Sequence, residues 1–366
     1  MENKEKQKNE PRQFMLFKKV WTIDRYNFYE YLSVMLDSWV TISESLESVG
    51  SKVKNIYFKE KINELITYVS SWDSFSKAMK KVPQIFDLSE ISIIESWETT
   101  GSLSDSLARL SDELKKKHDL RSKIKWALTY PIIIFSFLLL AVIVVLAYVI
   151  PSIKPLFDTA EVDLPIATKA LIFTSDFIVN NFLVLLLFLF SLFVLWVGYK
   201  STEKWRASID NTLLSLPLIW VVYRNYILSS ISSTLGSLIW SWVNVMKALT
   251  LTWKTTNNVV YESLFVSITN RVSKWEKIVD SIQAVDKANI YFTTDFLQML
   301  SVWERTANLE NVSKKINAQY TREVDYSLAN LTKWIEPIAI LVAWIFVLWF
   351  AFAIFGAILK VTQTVG

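Results

Sequence analysis

The sequence contains no cysteine and a single histidine, His118, in 366 residues. Without cysteine there is no disulfide framework, thiolate zinc site, iron–sulfur cluster or cysteine nucleophile. One histidine excludes a histidine-rich metal site, and six scattered glycines exclude a glycine-rich loop that binds phosphate. The low counts of glycine and proline, 6 and 8, argue against loop-rich and all-β architectures. We therefore expect no metal, no cofactor and no enzymatic activity.

Charged residues are scarce as well, since they make up 20% of the chain while hydrophobic residues make up 52%. A soluble domain usually has about a quarter charged residues. The apolar surplus lies in three uncharged blocks, at residues 131–150, 177–199 and 337–359. A helix needs about 20 apolar residues to cross a bilayer. The sequence therefore predicts an all-α, polytopic membrane protein with transmembrane helices at 126–150, 177–199 and 337–359.

Basic residues near the ends of these blocks predict the orientation in the membrane. Lysine and arginine are concentrated at 115–125, before the first block, and at 200–206, after the second. The short loop 151–176 carries more acidic than basic residues. We expect the N-terminus and segment 200–336 in the cytoplasm, with the loop and the tail 360–366 outside. The net charge of +4 is too small to indicate nucleic-acid binding. We interpret the basic run 115–125, next to the lipid bilayer, as an orientation signal on a solvated helix face and not as a dedicated lipid or nucleic-acid site.

An internal repeat organises the chain, because the stretch 303–337 has residue types of 97–131 at the same spacing. The matched residues are Trp97, Glu98, Thr100, Leu103 and Pro131 in the first copy and Trp303, Glu304, Thr306, Leu309 and Pro337 in the second. Each proline stands where a membrane block begins, and proline is tolerated as the first residue of a helix. We predict two homologous cytoplasmic helical bundles, at 20–125 and 200–336, after a disordered charged tail at 1–19.

The spacing of apolar residues in the first copy is typical of helices. Residues at spacings of three and four predict one apolar helix face over this stretch, namely Leu32, Leu36, Trp39, Val40, Ser43 and Leu46. Pro83 predicts a break between helices. The repeat also pairs Trp39 with Trp242 and Trp97 with Trp303. We expect these tryptophans to lie in the cores of the bundles.

Glu98 and Glu304 are the best candidates for a specific role, because the repeat retains a carboxylate at both positions. One hypothesis is that each carboxylate accepts hydrogen bonds from backbone N–H groups at a turn between helices. The other is that it contacts a divalent cation or a partner protein. One carboxylate per bundle makes a poor metal site, so the sequence favours the structural role.

Short motifs spread over about residues 25 to 360 resemble those of a known family. They are Glu98-x-x-Gly101-x-Leu103, Tyr130-Pro131, Leu164-Pro165-x-x-Thr168, Leu216-Pro217 and Glu336-Pro337, with Glu304 and Leu309 repeating the first motif. Their order and spacing, together with the three predicted spans, resemble the inner-membrane platform proteins of bacterial type IV pili and type II secretion systems. The resemblance implies that these residues are structural or contact a partner, and that none is catalytic.

The chain departs from the family pattern at several glycines. The typical family motif is Gly-Glu-x-x-Gly-x-Leu, whereas this chain has Trp97 and Trp303 before the glutamates and Ala307 at the second glycine of the later copy. The glycine that the family has near Trp39 and Trp242 is also absent. These departures suggest a divergent branch, such as bundle-forming, toxin-coregulated or plasmid-encoded thin pili.

The resemblance implies an assembly role in the bacterial inner membrane, with the loop 151–176 and the tail 360–366 in the periplasm. In the family, the cytoplasmic bundles engage a hexameric ATPase, and the membrane part receives pilin subunits for addition to the fibre. It further implies contacts with other inner-membrane assembly proteins and a homo-oligomer, either a dimer or a larger assembly. The purpose of the fibre and the choice between pilus and secretion system stay open.

Two other functions compete with this hypothesis. A small-molecule transporter with cytoplasmic regulatory domains would have polar or broken helices at mid-membrane and more than three spans unless it oligomerises. A membrane enzyme would need paired aspartates, a serine–histidine pair or a zinc motif within the spans. The predicted spans contain no charged residue and no histidine, which favours the platform hypothesis.

Overall fold

The described part of the chain is built from helices. The computed structural model describes residues 20–100, 103–158, 164–199, 217–256, 258–306 and 309–365. Every regular element within these ranges is a helix, which confirms the predicted all-α class. The predicted tail at 1–19, Gly101 and Leu216 lie outside the described residues.

Short helices joined by tight connections form the N-terminal region. They are α1 (Thr22–Asp37), α2 (Ile42–Lys52), α3 (Ile56–Ser70), α4 (Phe75–Lys80) and α5 (Leu88–Thr100). Thr41, Asn55 and Ser74 start three of these helices, because each side chain accepts a hydrogen bond from the backbone N–H three residues later. The break predicted at Pro83 is confirmed, since α4 ends before it and α5 begins after it.

The predicted single helix over the stretch that contains Leu32 and Leu46 is wrong. The chain turns at Ser38 and Trp39, so that Leu32 belongs to α1 and Leu46 to α2. Both leucines are nevertheless completely buried, because the two helices pack against each other. Apolar spacing cannot distinguish one long helix from two helices whose buried faces meet across a turn.

The middle of the chain is more helical than predicted. It contains α6 (Leu103–Val144), a π-helical turn (Val145–Val149), α7 (Ile150–Asp158), α8 (Ile166–Asn180) and α9 (Phe182–Tyr199). Residues 151–158 and 166–176 are therefore helical, where the sequence predicts a loop. Tertiary packing explains the difference, because Leu146, Ile150 and Leu171 form one buried cluster that holds these segments together.

The C-terminal half repeats a pattern of short helices followed by a long one. It contains α10 (Pro217–Trp240), α11 (Val245–Thr256), α12 (Val259–Val272), α13 (Ile278–Val285), α14 (Thr294–Thr306) and α15 (Leu309–Val365). The last helix has 57 residues and includes both polar and apolar segments.

The two prolines predicted to begin membrane helices lie inside helices instead. Pro131 is within α6 and Pro337 is within α15. A proline removes one intrahelical hydrogen bond, and helices that cross a membrane tolerate this loss where neighbouring groups satisfy the freed backbone carbonyl. The change from polar to apolar side chains at these prolines does not interrupt the backbone, so the predicted helix start is wrong at both positions.

Two described helices are long and apolar enough to cross a membrane. They are parts of α6 and α15, and the pair α8 and α9 gives a third if it crosses as one broken span. The chain bends by 73° between α8 and α9. The membrane character of the chain is thus supported, while the count of three spans stays a prediction.

The chain divides into two compact units. The first unit comprises the described residues among 1–120, 227–257 and 261–320. It buries one aromatic cluster from each half of the chain. The first cluster contains Phe28, Tyr29, Phe58 and Phe86, and the second contains Tyr261, Phe265, Phe292 and Phe296.

The second unit comprises the described residues among 121–226, 258–260 and 321–366. Its buried cluster consists of Leu146, Ile150, Leu171 and Ala353, with Trp349 and Phe350 packed against it. The domain boundaries predicted from the sequence stay predictions.

Candidate functional site

Glu98 lies in α5 and caps the N-terminus of α4. Its Oε1 accepts a hydrogen bond from the backbone N–H of Ser76 at 3.0 Å, and its Oε2 accepts one from the Ser76 hydroxyl. Ser76 is the second residue of α4, so its N–H has no acceptor within the helix. The carboxylate supplies that acceptor and places a negative charge at the positive end of the helix.

Glu304 makes the corresponding contact in the second copy. It lies in α14, and its Oε1 accepts a hydrogen bond from the backbone N–H of Ile278, the first residue of α13. Its Oε2 faces the N–H of Val279 at 3.4 Å. Each motif glutamate therefore joins two helices of its own copy by capping one of them.

This arrangement supports the structural role that the sequence favours for the two glutamates. Each carboxylate accepts hydrogen bonds from N–H or O–H groups of the protein. Such donors stabilise the negative charge of the carboxylate and do not bind a cation. Within the described ranges, no group of three or more histidine, aspartate or glutamate side chains is placed to hold a metal ion. A contact of either glutamate with a partner protein stays a prediction.

The motif leucines begin the two long helices. Leu103 is the first residue of α6, where its carbonyl accepts a hydrogen bond from the Ser106 hydroxyl at 2.7 Å. Leu309 is the first residue of α15. Leu107, Leu110 and Leu114 are buried, so α6 presents one apolar face after Leu103.

The prediction that the paired tryptophans lie in bundle cores is correct for one of them and wrong for two. Trp303 is 5% exposed and belongs to the core. Trp39 is 96% exposed and Trp242 is 82% exposed, because both lie in turns and not on a helix face. Trp97 is half-buried.

Trp97 contributes to a contact between the two copies within the first unit. The ring centroid of Trp97 lies 4.5 Å from that of Trp240, which belongs to the second copy. The guanidinium of Arg109, from the first copy, lies 3.4 Å from the same Trp240 ring centroid. Lys247 also donates a hydrogen bond to Glu95 at 3.4 Å. Sequence reasoning missed this contact, because no local pattern indicates which residues of two distant segments will meet.

Sequence reasoning also missed a partly buried ionic cluster in the first unit, in which Glu90 is buried and Asp87 is exposed. Arg25 contacts Glu90 at 2.8 Å and Asp87 at 2.9 Å, and Tyr29 donates a hydrogen bond to Glu90 at 2.8 Å. Burial raises the pKa of Glu90 to about 7, against the lowering effect of Arg25. The available signal in the sequence was Glu90, a carboxylate next to the apolar residues of α5, where a buried charge needs a partner.

In the second unit, the motif Leu164-Pro165-x-x-Thr168 begins α8 and packs against α15. Leu164 is half-buried and Pro165 precedes the helix. Thr168 is buried and its hydroxyl donates a hydrogen bond to the carbonyl of Ala353. Pro165 faces Gly356, where an added Cβ would lie 3.3 Å from the proline Cγ. These residues hold the start of α8 against an apolar helix.

The motifs around Pro131 and Pro337 also meet, within the second unit. Tyr130, which precedes Pro131, donates a hydrogen bond to the carboxylate of Glu336, which precedes Pro337, at 2.9 Å. Lys123, about two turns before Tyr130, pairs at 3.0 Å with Asp325, which lies about three turns before Glu336. The sequence predicts each dipeptide as the start of a span, while only the fold brings the two together.

The fold and these sites define a helical membrane protein whose motif residues fasten helices to one another. A family model described as "Type II secretion system (T2SS), protein F" matches it twice, at residues 28–151 and 231–357. The type IV pilus assembly protein PilC of Thermus thermophilus is 30% identical over 314 residues, which cover 86% of this chain and 76% of the relative.

Two further relatives extend the similarity over nearly the whole chain. The type IV pilus assembly protein PilC of Pseudomonas aeruginosa is 25% identical over 351 residues, which cover 95% of this chain and 92% of the relative. The type II secretion system protein F of Aeromonas hydrophila is 24% identical over 366 residues, 100% of this chain and 93% of the relative.

The chain belongs to the family of type II secretion system protein F and its PilC-like relatives. Proteins of this family are inner-membrane platform proteins of pilus or secretion systems, and they are not enzymes. The family confirms the resemblance found in the sequence and favours the platform hypothesis over the transporter. Whether the chain belongs to a divergent branch stays a prediction.

Proposed function

We propose that this platform protein couples a cytoplasmic hexameric ATPase to the insertion of pilin subunits into a growing fibre. The supporting observation is the double match of the family model. Each matched segment contains one motif glutamate that caps a helix and one long apolar helix that follows it. Such a chain has helical regions on which partner proteins can dock and apolar helices that can cross the membrane.

The two units differ in surface chemistry, and this difference decides which partner each unit binds in the proposed machine. The first unit, which is rich in charged helix faces, binds the ATPase on the cytoplasmic side. The apolar helices of the second unit, which carry small residues such as Ala351 and Gly356, allow close packing with the apolar helix of a pilin subunit. Other inner-membrane assembly proteins and further copies of this chain complete the platform as a homo-oligomer.

The proposal includes an origin of the two halves by duplication. Three kinds of feature recur in the same order in both halves: an exposed tryptophan in a turn, a capping glutamate, and a leucine that begins the long helix. The two matches of the same family model also support an origin by duplication.

The decisive experiment for the partners is co-purification of the full-length protein in mild detergent from cells that express it at native level. We expect a hexameric ATPase and pilin-like subunits among the recovered proteins. Recovery of neither, under conditions that keep a control membrane complex intact, would contradict the coupling role and lead back to solute transport.

The absence of cysteine makes the topology easy to test, because every introduced cysteine is unique. Ser71, Ser273 and Gln363 are exposed positions in the two cytoplasmic segments and the C-terminal tail of the proposed topology. With a membrane-impermeant maleimide on spheroplasts, we expect labelling of Gln363→Cys and protection of Ser71→Cys and Ser273→Cys. Labelling of Ser273→Cys would show that α8 and α9 do not cross the membrane.

A further inference from the structure

Four tryptophans lie in left-handed backbone conformation. Trp39, Trp72, Trp242 and Trp275 have φ angles of 63°, 66°, 59° and 68°. A positive φ brings Cβ close to the neighbouring carbonyl oxygen, which makes this conformation a genuine outlier for a bulky residue. Its recurrence at four positions of one residue type points to a common cause.

The four tryptophans occupy the same place in the same helix-ending motif. After α1, the N–H of Trp39 donates to the carbonyl of Leu36 at 3.0 Å, and the N–H of Val40 donates to that of Met35 at 3.0 Å. This pair of bonds defines a Schellman motif, whose left-handed residue is usually glycine. The equivalent pairs are Trp72 to Val69 with Asp73 to Tyr68, Trp242 to Ile239 with Val243 to Leu238, and Trp275 to Val272 with Glu276 to Arg271.

The side chains at these positions gain little from folding. Trp72 and Trp275 are each 98% exposed, and Trp39 and Trp242 are exposed nearly as much. A strained backbone persists when the surrounding contacts outweigh its cost, and an indole in solvent supplies few such contacts. A partner protein that covered the indoles would bury them but would leave the backbone strain in place. Glycine at the same positions would remove both costs.

The composition of the chain also shows tryptophan where glycine is expected. Glycine usually makes up about 7% of residues, whereas this chain of 366 residues has 6 glycines and 16 tryptophans. Gly50, Gly236 and Gly356 lie inside helices, where glycine is a poor residue. The four left-handed helix ends described above, where glycine is the best residue, carry tryptophan.

We infer that positions 39, 72, 242 and 275 are glycine in the protein as its own cell makes it. The codon UGA is read as tryptophan in some genetic codes and as glycine in others, so UGA at these positions would account for all four exchanges.

The direct test is peptide mass spectrometry on the protein purified from the cells that naturally make it. We expect each peptide that covers one of the four positions to be lighter by the mass difference between a tryptophan and a glycine residue. The gene should carry UGA at all four positions. Tryptophan in any of the four peptides, or the codon UGG at any of these positions, would overturn the inference.

A stability measurement tests the physical part of the argument with recombinant protein. The variant that combines Trp39→Gly, Trp72→Gly, Trp242→Gly and Trp275→Gly should melt at least about 2 °C above the tryptophan form in the same detergent. Trp126→Gly is the matched control, because Trp126 is exposed within α6, where glycine weakens the helix and should lower the midpoint. An unchanged or lower midpoint for the fourfold variant would contradict the assignment.

Discussion

The Tyr130 hydroxyl donates a hydrogen bond to the Glu336 carboxylate at 2.9 Å, and each of these residues directly precedes the proline of its long helix. The contact therefore joins α6 and α15 at the two points where a proline removes a backbone hydrogen bond. It lies in the second unit, together with the ion pair of Lys123 and Asp325.

A double-mutant cycle tests this contact. Tyr130→Phe and Glu336→Gln should each lower the unfolding free energy of the full chain slightly. The double variant should lose less than the sum of the two, because the shared hydrogen bond can be lost only once. The coupling should be small, since both groups are exposed. Additive losses in detergent denaturation curves would show that the hydrogen bond contributes nothing to stability.

Removal of either motif glutamate should destabilise the protein. In Glu98→Ala the N–H of Ser76 loses its acceptor, and in Glu304→Ala that of Ile278 does, at a cost of about 1–2 kcal/mol each. Thermal unfolding of the detergent-solubilised protein measures the loss, with Glu47→Ala on the exposed face of α2 as the control. Normal stability combined with loss of fibre assembly would instead indicate a contact with a partner.

The buried carboxyl of Glu90 makes stability depend on pH. Its pKa is raised from 4.5 to about 7 in the folded protein, so the folded state binds this proton more tightly than the unfolded state does. The stabilisation is complete below about pH 4.5 and is lost as the pH rises towards 7. We expect denaturation midpoints between pH 4.5 and 7 to fall less with rising pH in Glu90→Gln than in the unsubstituted protein. Identical slopes would mean that Glu90 does not retain its proton.

The close approach of α10 and α15 in the first unit predicts a steric effect at Gly236. A Cβ at this position would lie 2.6 Å from the Cβ of Ser313, so one helix has to move when the residue is larger. Gly236→Ala should cost about 1–3 kcal/mol of unfolding free energy. Ser313→Gly in the same chain should recover much of this loss. Failure of the second substitution to compensate would show that the cost arises elsewhere.

Local signals in the sequence correctly predicted the helical class, the apolar character of the membrane segments and the family. Hydropathy, charge and short motifs depend on residues close together in the chain, so they can be recognised from the sequence alone. The break at Pro83 and the buried face at Leu107, Leu110 and Leu114 were predictable for the same reason.

Tertiary structure decided which residues meet. Glu98 could have capped any nearby helix, and the fold selects the N-terminus of α4. The periodicity over Leu32 to Leu46 fitted one helix or two, and packing of α1 on α2 selects two. The contact of Trp97 with Trp240 depends on two segments far apart in the chain. The sequence by itself therefore determined the helical class and the family, because these follow from local chemistry. The bounds of several helices and the contacts between them depended on packing between segments far apart in the chain.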